Sequence, residues 1–148
     1  MKRRIDYIIL HCTATRYNQP FTLEALHTEH IRRGFHGIGY HYYVRRDGTV
    51  HRTRPLEQAG SHCLGHNRYS IGIAYEGGLD ETGQPADTRT PEQRTALRLL
   101  VHQLLQRLGH RVRICGHRDL SPDKDGNGIV EPNEWLKQCP CFDVATEL

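Results

Sequence analysis

Three short runs rich in β-branched and aromatic residues constrain the fold of this chain more than any other feature. They occupy Ile5–Cys12, Tyr69–Tyr75 and Arg111–Cys115. Runs of this length and composition are typical of buried strands. Helix signals separate them, and strands that alternate with helices form α/β folds. The sequence therefore predicts an α/β class.

Two helices have recognisable ends. Thr22 can cap a helix that runs to about Arg33 and is closed by Gly34. The stretch Thr90–Gln93 is a capping box with proline at the first helical position, and Gly109 ends the helix that follows. Apolar residues recur along this second helix at the spacing of one buried face. The sequence thus predicts helices that pack against the strands.

A hairpin makes the predicted sheet mixed. Tyr40–Arg46 reads as a strand, Asp47-Gly48 is a strong turn signal, and Thr49–Arg54 reads as the returning strand. The 148 residues are enough for one compact domain. We therefore expect a single α/β domain, residues 1–148, with a mixed β-sheet flanked by helices.

Composition excludes several classes of partner. No apolar run approaches the roughly 20 residues that span a bilayer, so we expect no membrane insertion. The net charge of +3 comes from scattered basic residues, which argues against nucleic-acid binding. The basic N-terminus lacks a signal peptide's apolar segment, so we expect synthesis in the cytoplasm, and we expect a monomer. Five cysteines, an odd number, favour reduced thiols that are buried or bind metal.

Two histidines and a cysteine form a candidate transition-metal set. His11 and His117 each lie at the C-terminal end of a predicted strand, where α/β sheets place their ligand sites. Catalytic zinc takes three protein ligands from His, Cys and carboxylate and keeps one position for water. Cys139 would complete such a set. Spacing alone is weak evidence, because each histidine singly is more often structural.

Five motifs in order give a more specific signal. Together they resemble the zinc-dependent N-acetylmuramoyl-L-alanine amidases of the phage-lysozyme and peptidoglycan-recognition type, over about residues 5–144. The motifs are Ile9–Thr15, Gly39–Tyr42 with Arg46–Thr49, Ser70–Ile73, Gly116–Asp119 and Lys137–Pro140.

The resemblance implies a ligand set and a reaction. His11, His117 and Cys139 match the family's zinc ligands, and Tyr40 and Lys137 match its catalytic tyrosine and lysine. The family cleaves the amide between the lactyl group of N-acetylmuramic acid and L-alanine of the stem peptide. The expected cofactor is therefore Zn²⁺, and the expected partner is peptidoglycan or muropeptides.

The chain departs from compact family members in one segment. Cys139 lies 22 positions after His117, whereas only a few residues separate the two ligands in compact relatives. We therefore expect an inserted acidic loop at about 121–136. The insertion leaves two candidates for the catalytic lysine, Lys124 and Lys137. The spacing of Lys137 from the ligand cysteine favours Lys137.

The inserted loop matches the calcium-loop pattern D-x-[DN]-x-[DN]-G-x5-E. Oxygens at alternating positions of such a loop can surround one hard cation, here Ca²⁺. A flexible acidic turn without an ion is the alternative. The candidate calcium ligands are Asp123, Asp125, Asn127, Ile129 and Glu134.

Two polar residues precede the predicted strand Tyr69–Tyr75. His62 and Asn67 lie in a loop, 61–68, that could line a cleft and touch substrate. A merely solvated loop would have the same composition. The sequence leaves these two interpretations open.

Three roles are compatible with the resemblance. The first is a peptidoglycan-cleaving amidase that acts on the cell wall after release or delivery, as a phage or prophage endolysin or as a secreted effector. The second is a non-catalytic peptidoglycan-binding module, although such modules typically lack the ligand cysteine or the tyrosine. The third is a cytoplasmic amidase that recycles muropeptides.

Overall fold

A computed structural model describes residues 3–148; Met1 and Lys2, which belong to the predicted domain, lie outside the described residues. Within that range the chain forms seven short strands and three α-helices. The strands are β1 (Tyr7–Cys12), β2 (Thr15–Arg16), β3 (Tyr42–Val44), β4 (Val50–Arg52), β5 (Ser70–Tyr75), β6 (Gly78–Leu79) and β7 (Arg113–Gly116). The helices are α1 (Leu23–Arg32), α2 (Pro91–Leu108) and α3 (Val144–Glu147).

Five of the strands form one sheet in the order β4-β3-β5-β1-β7, and β2 pairs with β6 separately. β3 and β4 are antiparallel, as the Asp47-Gly48 turn predicted. The other pairs of the large sheet are parallel. The predicted mixed sheet is confirmed.

The central strand β1 places its residues on two different faces. It lies between β5 and β7, with His11 opposite Ala74 and Leu10 opposite Gly116. Because side chains alternate along a strand, Leu10 and Cys12 join the core beneath α2, whereas His11 faces the other side. Cys12 therefore points away from His11.

Helix α2 follows its sequence signals closely. The Thr90 hydroxyl accepts a hydrogen bond from the Gln93 N–H, and the Gln93 side chain accepts one from the Thr90 N–H. Gly109 ends the helix with φ +69°, a left-handed conformation that glycine adopts without strain. The apolar face of α2 packs on the sheet through Leu97, Leu100, Val101 and Leu104.

Helix α1 covers the opposite face of the sheet. Its cap, Thr22, accepts a hydrogen bond from Ala25, and its buried Leu26 packs with Tyr43 and Ala74. His30 is buried on the same helix and accepts a hydrogen bond from the Gly39 N–H at 2.8 Å. Burial lowers the pKa of His30 to about 4, so its imidazole is neutral at pH 7. Helices thus flank both faces, as predicted.

The first hairpin strand is shorter than predicted. The sequence indicated Tyr40–Arg46, whereas β3 contains only Tyr42–Val44. The Tyr40 carbonyl accepts its hydrogen bond from the Thr53 hydroxyl at 2.6 Å, outside the ladder of the sheet. Tyr40 therefore precedes the strand, so the alternation of side chains between the two faces of the sheet does not apply to it.

None of the helices in residues 3–148 combines the length and apolar character that crossing a bilayer requires.

Candidate metal centre

Two neighbouring strands bring the predicted histidine ligands together. His11 is the next-to-last residue of β1, and His117 directly follows β7, which pairs with β1. Their ring centroids are 4.7 Å apart, with the ring planes inclined at 65°. His11 is buried and His117 is half-buried. Parallel pairing of β1 and β7 therefore explains why residues 106 positions apart share one site.

The third predicted ligand, Cys139, is held beside the same strands by backbone hydrogen bonds. The Cys12 N–H points at its Sγ, 3.2 Å away, and the Arg118 N–H donates to its carbonyl at 2.9 Å. The Tyr75 hydroxyl donates to the carbonyl of Pro140 at 2.6 Å. The segment that carries Cys139 is thus attached to the ends of β1 and β5 and to the turn after β7.

The three side chains have the geometry and chemistry of a zinc site. One potential ligand atom each from His11, His117 and Cys139 lies within 4.8 Å of the other two. Zinc bonds of about 2.0–2.3 Å place tetrahedral ligand atoms about 3.5 Å apart, so small side-chain movements suffice. Two imidazoles and a thiol suit a transition metal such as zinc and not calcium or magnesium. The residues present fit the ion that the family resemblance implies.

The environment of His11 favours the neutral ring that a metal requires. Burial lowers the pKa of His11 well below its ordinary value, and the neighbouring His62 and His117 lower it further. The positive charge of Lys137 lowers the pKa of His11 in the same direction. His11 is therefore unprotonated at neutral pH and available as a ligand.

A cavity of about 770 Å³ opens over these residues. Loop 61–68, the end of α1 and the C-terminal segment surround it. Both predicted catalytic residues and the three candidate ligands line it. Its central residues are His11, Tyr40, His62, His117, Lys137 and Cys139.

Tyr40 lies against His11. Its ring centroid is 5.1 Å from that of His11 and 5.2 Å from that of His30. Burial raises the pKa of the Tyr40 phenol above its ordinary value, and the nearby Cys139 sulfur raises it further. The phenol is therefore protonated at neutral pH and can donate a hydrogen bond into the cavity.

The two candidate lysines occupy different places. Lys137 lines the cavity, two residues before Cys139, whereas Lys124 lies in the inserted acidic loop and is absent from the cavity wall. This placement favours Lys137 over Lys124.

His62 and Asn67 line the same cavity, but both ring nitrogens of His62 and the side-chain oxygen of Asn67 bond within the protein. Both ring nitrogens of His62 have partners, so only its carbon edge is left for a bound molecule. The Asn67 carbonyl oxygen accepts the N–H groups of His62 and Cys63, each at 2.9 Å. Their substrate-binding role stays a prediction.

The acidic loop brings together three of its five predicted calcium ligands. Carboxylate oxygens of Asp123, Asp125 and Glu134 lie within 4.8 Å of one another. The Asn127 side-chain oxygen accepts the Ile129 N–H inside the loop at 2.9 Å. Ile129 would contribute its backbone carbonyl oxygen, as the seventh position of a calcium loop does.

Two contacts of the site were not predictable from motif spacing. Ser70, buried at the start of β5, bonds to His62, and Trp135 stacks on Arg118 with 3.8 Å between guanidinium carbon and ring centroid. The only sequence signal for Ser70 was its place in the matched motif Ser70–Ile73. No sequence signal pointed to Trp135, because its partner Arg118 lies on the other side of the inserted loop.

Comparisons with known proteins identify the family of this chain. Residues 1–140 match the sequence profile of a family described as N-acetylmuramoyl-L-alanine amidase. An uncharacterised protein of Haemophilus influenzae is 44% identical over 98 residues, which are 66% of this chain and 84% of that protein. The endolysin of Enterobacteria phage K11 is 32% identical over 143 residues, or 97% of this chain and 85% of that endolysin.

A solved structure extends the similarity to the fold. The N-acetylmuramoyl-L-alanine amidase LysC of Clostridium intestinale superposes with a TM-score of 0.71 at 32% sequence identity, covering 95% of this chain and 79% of LysC. The chain therefore belongs to the N-acetylmuramoyl-L-alanine amidase family.

Proposed function

We propose that this amidase hydrolyses the bond between N-acetylmuramic acid and L-alanine of the peptidoglycan stem peptide at a zinc centre held by His11, His117 and Cys139. The convergence of these three side chains beneath an open cavity is the observation that supports the proposal most. A zinc ion in this site would polarise the scissile carbonyl and lower the pKa of a water molecule toward neutrality.

Tyr40 has the position and protonation state of a hydrogen-bond donor to the reacting carbonyl. Its ring borders His11, so its hydroxyl can reach a substrate that occupies the centre of the cavity. Fixed donors aimed at an oxyanion supply much of the stabilisation in acyl-transfer reactions. A neutral phenol can also help to move a proton from water to the departing alanine nitrogen.

Lys137 supplies a positive charge at the same place. A thiolate ligand lowers the net charge of a zinc site relative to a neutral imidazole, so a nearby ammonium restores attraction for the developing oxyanion. We assign the catalytic lysine to Lys137. We keep His62 and Asn67 as proposed substrate contacts through the surfaces they leave open to the cavity.

The biological setting is part of the proposal. We propose a monomer that is made in the cytoplasm and reaches peptidoglycan after release or delivery. The residues 121–136 are an insertion within its single domain.

Metal content gives a direct test of the zinc centre. The purified protein is expected to contain one zinc per chain, to lose activity with a chelator and to regain it when zinc is added. Calcium or magnesium added instead should not restore activity, because the two-imidazole, one-thiolate set suits neither ion. Full activity in protein shown to be free of zinc would contradict the proposal.

We further propose that the inserted loop binds calcium in a structural role. One carboxylate oxygen of Asp123, Oδ1, is buried and has no hydrogen-bond partner in the described part of the chain. An orphaned buried carboxylate oxygen is costly, and a cation would satisfy it. The Glu134 carboxylate orders the loop by accepting the N–H groups of Lys124, Asp125 and Glu131.

The loop is well placed to orient the zinc centre. Trp135 stacks on Arg118, next to His117, and the Leu136 N–H donates to the Ser121 hydroxyl at 3.1 Å. An ordered loop would therefore hold the segment that carries Lys137 and Cys139 in position relative to His117.

Calcium is expected to raise the melting temperature of the zinc-loaded protein. At 100 times the dissociation constant the gain would be about 2.7 kcal/mol, or roughly 5–10 °C for a domain of this size. Asp123→Asn should abolish the calcium-dependent gain. Asp80→Asn is a matched control, because Asp80 is an aspartate outside the inserted loop that orders its own turn by accepting the N–H groups of Thr82 and Gln84. No heat of binding in calorimetry and no thermal shift would refute the calcium site.

A further inference from the structure

His62 is bonded to the first metal ligand through one nitrogen and to the sheet through the other. Its Nδ1 lies 2.8 Å from Nε2 of His11, and its Nε2 lies 3.1 Å from the Ser70 hydroxyl. The His11 and His62 rings are nearly perpendicular, at 89°, with centroids 4.9 Å apart. A chain of two hydrogen bonds therefore links His11 to a fully buried serine of β5.

Two glycines make room for the His62 ring. A Cβ added at Gly72 would lie 2.6–2.8 Å from three atoms of the ring, and a Cβ at Gly60 would lie 2.6 Å from its Cδ2. Carbon atoms do not approach this closely without displacement, so larger residues at either position would move the ring. The backbone N–H of His62 also donates a hydrogen bond to the side-chain oxygen of Asn67. The imidazole is thus confined in both position and orientation.

We infer that His62 is a positioning residue that sets the tautomer and orientation of the metal ligand His11; this role rests on the proposed zinc site. Because His62 engages Nε2 of His11, Nδ1 of His11 is the nitrogen left for the ion. A ring bound through Nδ1 carries its proton on Nε2 and donates it to Nδ1 of His62. The proton of His62 is then on Nε2 and is donated to Ser70.

This arrangement supports metal binding in two ways. Hydrogen bonds of this kind hold a ligating imidazole in the orientation that coordination requires and raise its basicity. Loss of such a partner typically costs roughly 10- to 100-fold in metal affinity. A histidine that only filled space in the loop would have no specific effect on the ion.

Two amide substitutions separate these roles. In His62→Asn the side-chain carbonyl oxygen can occupy the place of Nδ1 and accept from His11. In His62→Gln the terminal amide extends to the place of Nε2, near Ser70, and leaves His11 without its partner. We expect His62→Gln to weaken zinc binding by roughly 10- to 100-fold and His62→Asn to retain most of the wild-type affinity.

The measurement is competition for zinc against a chromophoric chelator, with the visible spectrum of the cobalt-substituted protein as a second readout. His66→Gln is the control, because His66 lies in the same loop but bonds to the Tyr69 hydroxyl at 2.9 Å instead of to a ligand. Its zinc affinity should equal that of the wild type. The melting temperature of each metal-free variant separates loss of folding from loss of metal affinity.

Each outcome has one meaning. His62→Gln weaker than His62→Asn, with similar metal-free stability and an altered cobalt spectrum, supports the positioning role. Equal zinc affinities for the two variants, whether both normal or both reduced, would overturn it. Failure of the wild-type protein to bind zinc would instead refute the proposed metal centre itself.

Discussion

Cys139→Ala is expected to lose zinc and amidase activity together. The substitution removes the only anionic ligand of the proposed set and leaves His11 and His117, which are too few to retain a catalytic zinc ion. We expect activity to fall by about 10³-fold or more, since the loss of a single oxyanion donor already costs about 10²- to 10³-fold. Metal analysis and hydrolysis assays on the same preparation test this.

Cys141→Ala is the matched control for that experiment. Cys141 lies two residues further along the chain, and its thiol donates to the Gly78 carbonyl at 3.4 Å rather than facing the ligand histidines. This variant should keep its zinc. A Cys139→Ala protein with full zinc occupancy would remove Cys139 from the ligand set.

Lys137→Met is expected to lose activity while keeping zinc. Lys137 lines the cavity, from which its ammonium can stabilise the oxyanion, and it is not one of the three proposed ligands. We expect kcat to fall by about 10²- to 10³-fold, which is the usual cost of removing one such group. Steady-state kinetics on a muropeptide, together with zinc content, separate this effect from loss of the metal.

Lys124→Met completes the comparison of the two lysines. Its side chain belongs to the inserted loop, so activity should stay close to that of the wild-type protein. The opposite result, a large loss in Lys124→Met and none in Lys137→Met, would reassign the catalytic lysine and would imply that the insertion folds over the cavity.

The sequence was most informative where structure is determined locally. The cap at Thr90, the left-handed end at Gly109 and the turn at Asp47-Gly48 each depend on neighbouring residues, and all three are confirmed. Strand ends were predicted less well. Tyr40 lies outside the ladder, and its carbonyl accepts a hydrogen bond from Thr53, 13 positions away, which local propensity cannot predict.

The candidate site depended on contacts between distant parts of the chain. Spacing could suggest His11 and His117 because parallel strands align their ends, but the approach of Cys139 to β1 spans 127 positions. Cys139 was identified through the resemblance to the family's motifs and not through any periodicity of the sequence. The His11–His62 hydrogen bond, across 51 positions, depends on space left by Gly60 and Gly72 and became evident only in three dimensions.

Digestion of purified peptidoglycan, with product analysis by mass spectrometry, tests the central claim most directly. The protein should release stem peptides with a free L-alanine N-terminus, should stop doing so after chelation, and should resume when zinc is restored. Intact sacculi that still bind the zinc-loaded protein would contradict the claim and would indicate a non-catalytic recognition module. Products cleaved within the glycan or within the stem peptide would contradict the proposed bond.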